Sequence, residues 1–258
     1  MKKALKILIA IPLLYLVAMP IYLAASTNAK LVTSVEIIIS DSADYQFVTK
    51  DYLYNLLFNN SGNIVGKPIK EVLLGDIEKN IRTVRELKTA AAYLTIDGKL
   101  KIWVEQRRPI MRVMPDEGGD YFIDDEGIVI RKRSLYSPRL HIVVGNINIS
   151  QAMLNGVSVL DTAIKNTTLR DIYHLVNYIK KDNFWSAQID QIYVDRSNKI
   201  ELIPRVGNHV VRLGTTENFK EKFRNLETFY KDVLPEVGWN KYSVINLEFK
   251  DQIVCKKR

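Results

Sequence analysis

The chain has 258 residues, of which 47% are hydrophobic and 26% are charged. This length and composition allow two modest folded units, each with its own core, and exclude a chain that is disordered over most of its length. The formal net charge is +8. Because Lys2, Lys3 and Lys6 supply three of these charges, about +5 is spread over the rest of the chain, too thinly to favour a nucleic-acid-binding patch.

Residues 7–25 form a run of 19 positions without a charged side chain. A helix of about 20 apolar residues spans the core of a bilayer. Three lysines precede the run, and Lys30 alone follows it closely, so we expect the N-terminus to stay in the cytoplasm. We predict an uncleaved anchor, with residues 1–6 as a cytoplasmic tail. The alternative is a signal peptide cleaved before Ser26, and in both cases the remainder is exported.

The first exported segment shows the pattern strand, helix, helix, strand, strand. Residues 32–39 alternate between apolar and polar positions and predict a strand. Thr49 is placed to cap a first helix, and helical spacing of apolar residues over positions 73–84 predicts a second. Asp97 and Gly98 separate two alternating runs, which is a strong signal for a β-hairpin. We expect two helices packed on one face of a three-stranded sheet.

The segment after Pro109 is rich in short strands separated by turn residues. The predicted strands are residues 110–114, 121–123, 128–130, 140–144, 188–194, 199–203, 209–213 and 243–249. Two helices interrupt them, one marked by residues 169–179 and one by residues 219–233, which we expect Pro235 to end. Together the two segments predict an α+β fold.

Reactive constellations are missing from the sequence. The three histidines are far apart and lack the spacing of a zinc site: His141, His174 and His209. Cys255 has no neighbouring base, and no serine lies in a nucleophile elbow. The acidic runs at residues 116–117 and 124–126 occur with glycine, as turns require. We therefore predict a non-enzymatic protein without cofactor, metal, nucleic acid or small-molecule substrate.

The remaining charged features are three basic groups, which are typical of solvated faces. They are Arg107-Arg108, Arg131-Lys132-Arg133 and Lys256-Lys257-Arg258. Weak attraction to a bilayer surface is the functional alternative for these groups.

Several short motifs in a fixed order resemble the FtsQ/DivIB family of bacterial cell-division proteins. They are Ile77-Glu78, the hairpin at Gly98-Lys99-Leu100, VEQRRPI at residues 104–110 and YFIDDEG at residues 121–127. Further motifs are similar to the version found in Bacteroidetes: FWSAQI at 184–189, ELIPRVGNH at 201–209, Leu213-Gly214 and GWNKY at 238–242. The resemblance covers nearly the whole chain.

The resemblance implies a single transmembrane helix, a POTRA domain (βααββ) at residues 26–106 and a β-rich domain with interrupting helices at residues 107–258. It implies a scaffold in the inner membrane, with its domains in the periplasm at the division septum, that holds FtsB-like and FtsL-like partners and regulates septal wall synthesis. The alternatives are a peptidoglycan-modifying enzyme of the cell envelope and a POTRA-type chaperone.

The last predicted strand offers a docking site, because an edge strand can accept a strand from a partner. We expect an FtsB-like protein to add a strand beside residues 243–253. The predicted partner-binding residues are Ser243, Ile245, Asn246, Leu247, Glu248, Phe249, Lys250 and Ile253. The better-known proteobacterial pattern has arginine and tyrosine where this chain has Glu248 and Phe249, so side-chain contacts there cannot be copied. The alternative is a core strand covered within this chain.

Overall fold

The computed structural model describes residues 15–16, 18–20, 30–43, 45–132, 136–165 and 167–258. The described chain divides into two compact units, with the boundary between Gln106 and Arg107. The cytoplasmic tail expected at residues 1–6 lies outside the described residues, as does the expected span at residues 7–25 apart from positions 15–16 and 18–20. Within the described ranges, none of the helices combines the length and the apolar composition that crossing a bilayer requires.

The first unit contains three strands and two helices in the order expected from the sequence. Its elements are β1 (Ser34–Ile39), α1 (Lys50–Ser61), α2 (Leu74–Ile81), β2 (Leu87–Leu94) and β3 (Lys99–Gln106), with a short 3-10 turn at Ile69–Glu71. β3 lies in the centre of the sheet, parallel to β1 and antiparallel to β2. Every second residue of β3 is buried, so one face of the sheet forms the core with the two helices.

Local signals explain why the helices and the hairpin of this unit form where they do. The hydroxyl of Thr49 accepts a hydrogen bond from the N–H of Tyr52 and caps α1. Gly98 has φ +83° in the loop between β2 and β3, a conformation that glycine adopts without cost. The hairpin predicted at Asp97-Gly98 is therefore confirmed.

The side chain of Gln106, which is fully buried, ties the end of β3 to the loop before α1. Its Oε1 accepts hydrogen bonds from the N–H groups of Phe47 and Val48, at 2.9 and 3.0 Å. Its Nε2 donates to the carbonyl of Tyr45 and to Asp41. One amide thus satisfies four polar groups in a loop that has no regular secondary structure of its own.

The second unit is built on a sheet of nine strands. The strands are β4 (Pro109–Pro115), β5 (Tyr121–Asp124), β6 (Val129–Arg131), β7 (His141–Gly145), β8 (Ile189–Val194), β9 (Ile200–Pro204), β10 (Val210–Gly214), β11 (Tyr242–Asn246) and β12 (Val254–Lys257). Their order across the sheet is β12-β11-β10-β9-β8-β7-β4-β5-β6. The pairs β4–β7, β7–β8 and β10–β11 are parallel, and parallel pairs require long crossover connections.

Helices lie in the crossovers of the β7–β8 and β10–β11 pairs and bury their apolar sides in the core, whereas the β4–β7 crossover runs through β5 and β6. The helices are α3 (Gln151–Leu154), α4 (Thr168–Lys181), α5 (Asn183–Gln188), α6 (Phe219–Thr228) and α7 (Leu234–Val237), with a π-helical segment at Phe229–Val233. Trp185, Phe223 and Tyr230 are among the largest fully buried side chains of this core, and the Trp185 ring meets those of Phe223 and Tyr230 at centroid distances of 5.0 and 5.7 Å.

Two boundaries differ from expectation. Pro235 does not end the second helix, because the chain continues as α7 and the proline lies in its first turn, where a missing N–H is tolerated. The strand expected at residues 243–249 ends at Asn246, since the chain then turns away from the sheet.

Candidate partner-binding edge

The sheet edge lies further along the chain than the sequence predicts. We expected residues 243–253 to form it, but β11 lies between β10 and β12 and pairs with both. After Asn246 the chain reverses through residues 247–253, with Asp251 at φ +58°, and returns as β12. β11 is therefore a strand covered within this chain, and β12 occupies the edge.

β12 is paired on one side only among the residues that the structure describes. The N–H of Arg258, directly after β12, donates to the carbonyl of Lys241 at 3.2 Å on the β11 side. Because backbone groups of alternate residues point to the same side of a strand, Lys256 also faces β11. The N–H groups of Cys255 and Lys257 consequently point to the open side.

The side chains of β12 are basic and partly apolar. Val254 is 45% exposed, and Lys256 and Lys257 are exposed as well. Cys255 pairs with Ile245 and packs against the core, and this burial raises the pKa of its thiol. The outer surface of the edge therefore presents one aliphatic side chain beside positive charge.

The predicted partner-binding residues divide into four groups in the structure. Ile245 and Leu247 are 0% and 3% exposed and belong to the hydrophobic core, so the structure leaves little of either side chain for a partner to touch. Phe249 is 54% exposed, and Lys250 beside it is also exposed. Ile253, directly before β12, is partly buried against the core.

The remaining predicted residues hold the hairpin in place. The hydroxyl of Ser243 donates to the carbonyls of Lys256 and Lys257. Asn246 accepts a hydrogen bond from the N–H of Glu248 at 2.8 Å. Glu248 also binds Lys199 at 2.7 Å, and this hydrogen bond lowers the pKa of the carboxyl group. These side chains fix the path of the turn that leads to β12.

A cleft of about 280 Å³ lies beside this turn. Phe249 and Ile253 line one side of it, and Thr215, Glu221 and Lys222 of the segment around the start of α6 line the other. The ammonium group of Lys222 donates to the carbonyls of Leu213 and Thr215, at 2.8 and 2.9 Å. Because two of its three donors are engaged within the chain, Lys222 supports the wall of the cleft.

The loop before β10 is held by a buried histidine. Nε2 of His209 lies 2.7 Å from the hydroxyl of Tyr230, and Nδ1 is buried as well. Burial lowers the pKa of His209, and the positive charge of Arg258 acts in the same direction. Arg258 also donates to the carbonyl of Asn208 and so connects this loop to the end of β12.

The acidic motif at residues 121–127 has a structural role. Oδ2 of Asp124 accepts a hydrogen bond from Arg107 at 2.7 Å, while Oδ1 accepts from the N–H groups of Glu126 and Ile128. Arg107 also contacts Glu126 at 3.0 Å. Two of the motifs that carry the family resemblance therefore meet in one ion-pair cluster.

The histidines stay apart in the structure. His141 contacts the carbonyl of Ile189 at 3.1 Å, and His174 lies edge-on to Tyr173. Across the described ranges, no three histidine, cysteine or acidic side chains are grouped as a metal site would require.

Sequence reasoning missed β12 itself. Val254, Cys255, Lys256 and Lys257 form too short and too charged a run to predict a strand. The available signal was indirect: a turn with Asp251 after a strand, followed by an aliphatic residue. It marks a reversal of the chain without specifying the strand that follows.

Comparison with known proteins gives one family match in each of the two units. A family model described as "FtsQ/DivIB, C-terminal related" matches residues 108–256, and a model described as "POTRA-like domain" matches residues 30–105. No curated protein matches the chain. The first model covers more than half of the chain, so the chain belongs to the FtsQ/DivIB family, whose members are non-enzymatic cell-division proteins.

Proposed function

We propose that this protein is a scaffold of the division machinery that binds FtsB-like and FtsL-like partners. In this role it helps to recruit and regulate septal cell-wall synthesis. Family membership supports the division role. The uncharged run at residues 7–25 supports a single anchor in the inner membrane, with the N-terminus in the cytoplasm and both units in the periplasm.

The open side of β12 is the single observation that carries the docking proposal. A strand with one unpaired side presents N–H and C=O groups to any extended segment that can lie beside it. An FtsB-like partner adds its strand there, gaining backbone hydrogen bonds, while side chains at alternate positions select it. The partner strand lies beside β12, one strand further out than the sequence alone suggested.

The charge of the edge specifies the chemistry of the partner. Lys256 and Lys257 are exposed, and Arg258 follows them. An incoming strand with acidic side chains opposite these lysines gains favourable cross-strand pairs, whereas a basic strand is repelled. Phe249 lies at the turn beside the edge and offers a large apolar contact to the same partner.

The proposal is tested by removing one outward N–H from β12. Lys257→Pro in the full chain eliminates that donor and places a ring on the open side, and edge positions tolerate proline. Lys257→Ala is the matched control, because it loses the same charge and keeps the N–H. We expect Lys257→Pro to weaken capture of the FtsB-like partner at least about tenfold relative to Lys257→Ala. Equal capture by the two variants, with unchanged thermal unfolding, contradicts docking at this edge.

The anchor and the location are tested separately. A fluorescent fusion at the N-terminus of the full chain is expected at midcell in dividing cells, whereas a general chaperone of the envelope would surround the whole cell. Mass spectrometry of the native protein is expected to find residues 1–25 attached. A mature N-terminus near Ser26 contradicts the anchor.

A further inference from the structure

β2 is one of the two outer strands of the sheet in the first unit and has an unusual composition for an edge. Past a register shift between Leu87 and Thr89, residues 89–94 pair regularly with β3 and include neither a charged residue nor a proline. Edge strands usually carry charge, proline or a bulge, because their unpaired backbone groups otherwise accept strands from other molecules. Along residues 89–94 the strand itself supplies no such protection.

Two side chains of the neighbouring helix occupy this edge instead. The N–H of Ala92 donates to Oε1 of Glu78 at 2.9 Å. Nη2 of Arg82 donates to the carbonyl of Ala90 at 2.9 Å. Glu78 and Arg82 are one helical turn apart at the end of α2, and Nη2 of Arg82 lies 3.5 Å from Oε2 of Glu78.

Glu78 and Arg82 supply the same kinds of hydrogen-bonding groups that an added strand would supply to β2. A neighbouring strand supplies a C=O to accept and an N–H to donate, and here the carboxylate accepts while the guanidinium donates. Ala90 and Ala92 are two residues apart and so face the same side of β2. The helix therefore closes the edge where a further strand would begin to pair.

We propose that Glu78 and Arg82 guard the β2 edge against pairing with the β2 edge of a second copy of this chain. Two β2 strands related by a two-fold axis offer each other the same backbone groups, and no charge along residues 89–94 repels the copy. A second copy must displace both side chains before it can pair. The hydrogen bonds from Glu78 and Arg82 to β2 are favoured over those from a second copy, because the two side chains belong to the same molecule and so have a high effective concentration.

A different role for the pair, holding α2 against the sheet, predicts a different result. If the two hydrogen bonds only stabilise the unit, their loss lowers the melting temperature and leaves association between chains unchanged. If the pair instead blocks the edge, its loss allows two chains to pair through their β2 strands. A measurement of contact at β2 therefore distinguishes the two roles.

The test uses the full chain with Cys255→Ser and Ala91→Cys, so that the only thiol lies on the exposed face of β2. Crosslinking by a short bifunctional thiol reagent then measures pairing between copies at this strand. We expect E78A/R82A to raise the crosslinked dimer at least about tenfold. Lys79→Ala, a change at an exposed position of the same helix, and Glu78→Gln, which keeps an acceptor, are expected to leave it unchanged.

Ala92→Pro locates the contact, because it removes the N–H that Glu78 otherwise holds and that a second strand would use. Added to E78A/R82A, it is expected to return crosslinking to the starting level. Unchanged crosslinking in a folded E78A/R82A variant overturns the proposal, as does crosslinking that persists with the proline. If the double variant loses cooperative unfolding, the single variants E78A and R82A decide. No increase in either, or loss of folding in both, also overturns it.

Discussion

Arg107 and Asp124 form an ion pair of 2.7 Å in which the side chain of Asp124 is fully buried and that of Arg107 is 17% exposed. The pair joins the first residue of the second unit to the end of β5. Burial raises the pKa of Asp124, and the hydrogen bond from Arg107 opposes that rise. The arginine is thus the counter-charge of a carboxylate that has no access to water.

Arg107→Ala is expected to destabilise the second unit by about 3 kcal/mol, because it leaves a buried carboxylate without its partner. Urea unfolding of the full chain measures the loss. Arg205→Ala is the matched control, since Arg205 and Asp190 pair at 2.8 Å with exposures of 61% and 55%. Its cost should stay below about 1 kcal/mol, and equal costs for the two variants would contradict the role of burial.

His209 is expected to make stability depend on pH. Because burial lowers its pKa below the ordinary 6.5, the unfolded chain binds more protons than the folded one between these two values. The free energy of unfolding therefore falls as the pH drops through that window. His209→Gln should flatten this slope below about pH 6.5.

His141 remains in both proteins of this comparison, and burial lowers its pKa too. The contribution of His141 to the slope is the same in the wild-type chain and in the His209→Gln variant, so it cancels in the comparison. Chemical denaturation at a series of pH values gives the two slopes, and identical slopes would show that His209 does not titrate on unfolding in this range.

Gly145 is expected to be irreplaceable, because it has φ +110° and a Cβ there would lie 2.1 Å from the carbonyl oxygen of Val194. Gly238 has a similar φ of +91° with nothing within 4 Å of a Cβ, so Gly238→Ala reports the backbone strain alone. Gly238 has ψ 136°, outside the left-handed helical region, so we expect about 1 to 3 kcal/mol for Gly238→Ala and at least about 2 kcal/mol more for Gly145→Ala. Thermal unfolding measures both, and similar losses would refute the close approach.

Substitutions at Phe249 and Ile245 should have different effects, one on partner binding and the other on stability. Phe249→Ala removes an exposed ring and is expected to change stability by less than about 0.5 kcal/mol, while weakening capture of the FtsB-like partner about tenfold. Ile245→Ala creates a cavity in the core and should cost about 2 to 4 kcal/mol of stability. Full capture by a folded Phe249→Ala variant would remove this residue from the docking surface.

The parts of the fold that the sequence predicts are those set by neighbouring residues. Thr49 caps a helix that begins one residue later, and the Asp97-Gly98 turn joins strands that follow each other directly. Such signals act over a few positions, so they can be recognised without the rest of the molecule. The same holds for the apolar spacing of α4, which matches residues 169–179.

The parts that were missed depend on residues far apart in the chain. The edge position of β12 follows from its pairing with β11, and no local pattern in Val254-Cys255-Lys256-Lys257 predicts a strand there. The contacts of Glu78 and Arg82 with β2 likewise join a helix to a strand, and neither side chain is distinctive in the sequence. The sequence predicted the sheet edge at residues 243–253, whereas the edge strand in the structure is β12, the second strand of the same hairpin.

The parallel pairing of β10 and β11 has a consequence for the order of folding. The two strands are joined by a connection that contains α6 and α7, so β11 can settle in the sheet only after that whole crossover has packed. Contacts that are distant in sequence form slowly, because a long loop must close first. β12 pairs with β11 and therefore completes the sheet late, so the edge at which we propose docking exists only in the fully folded molecule.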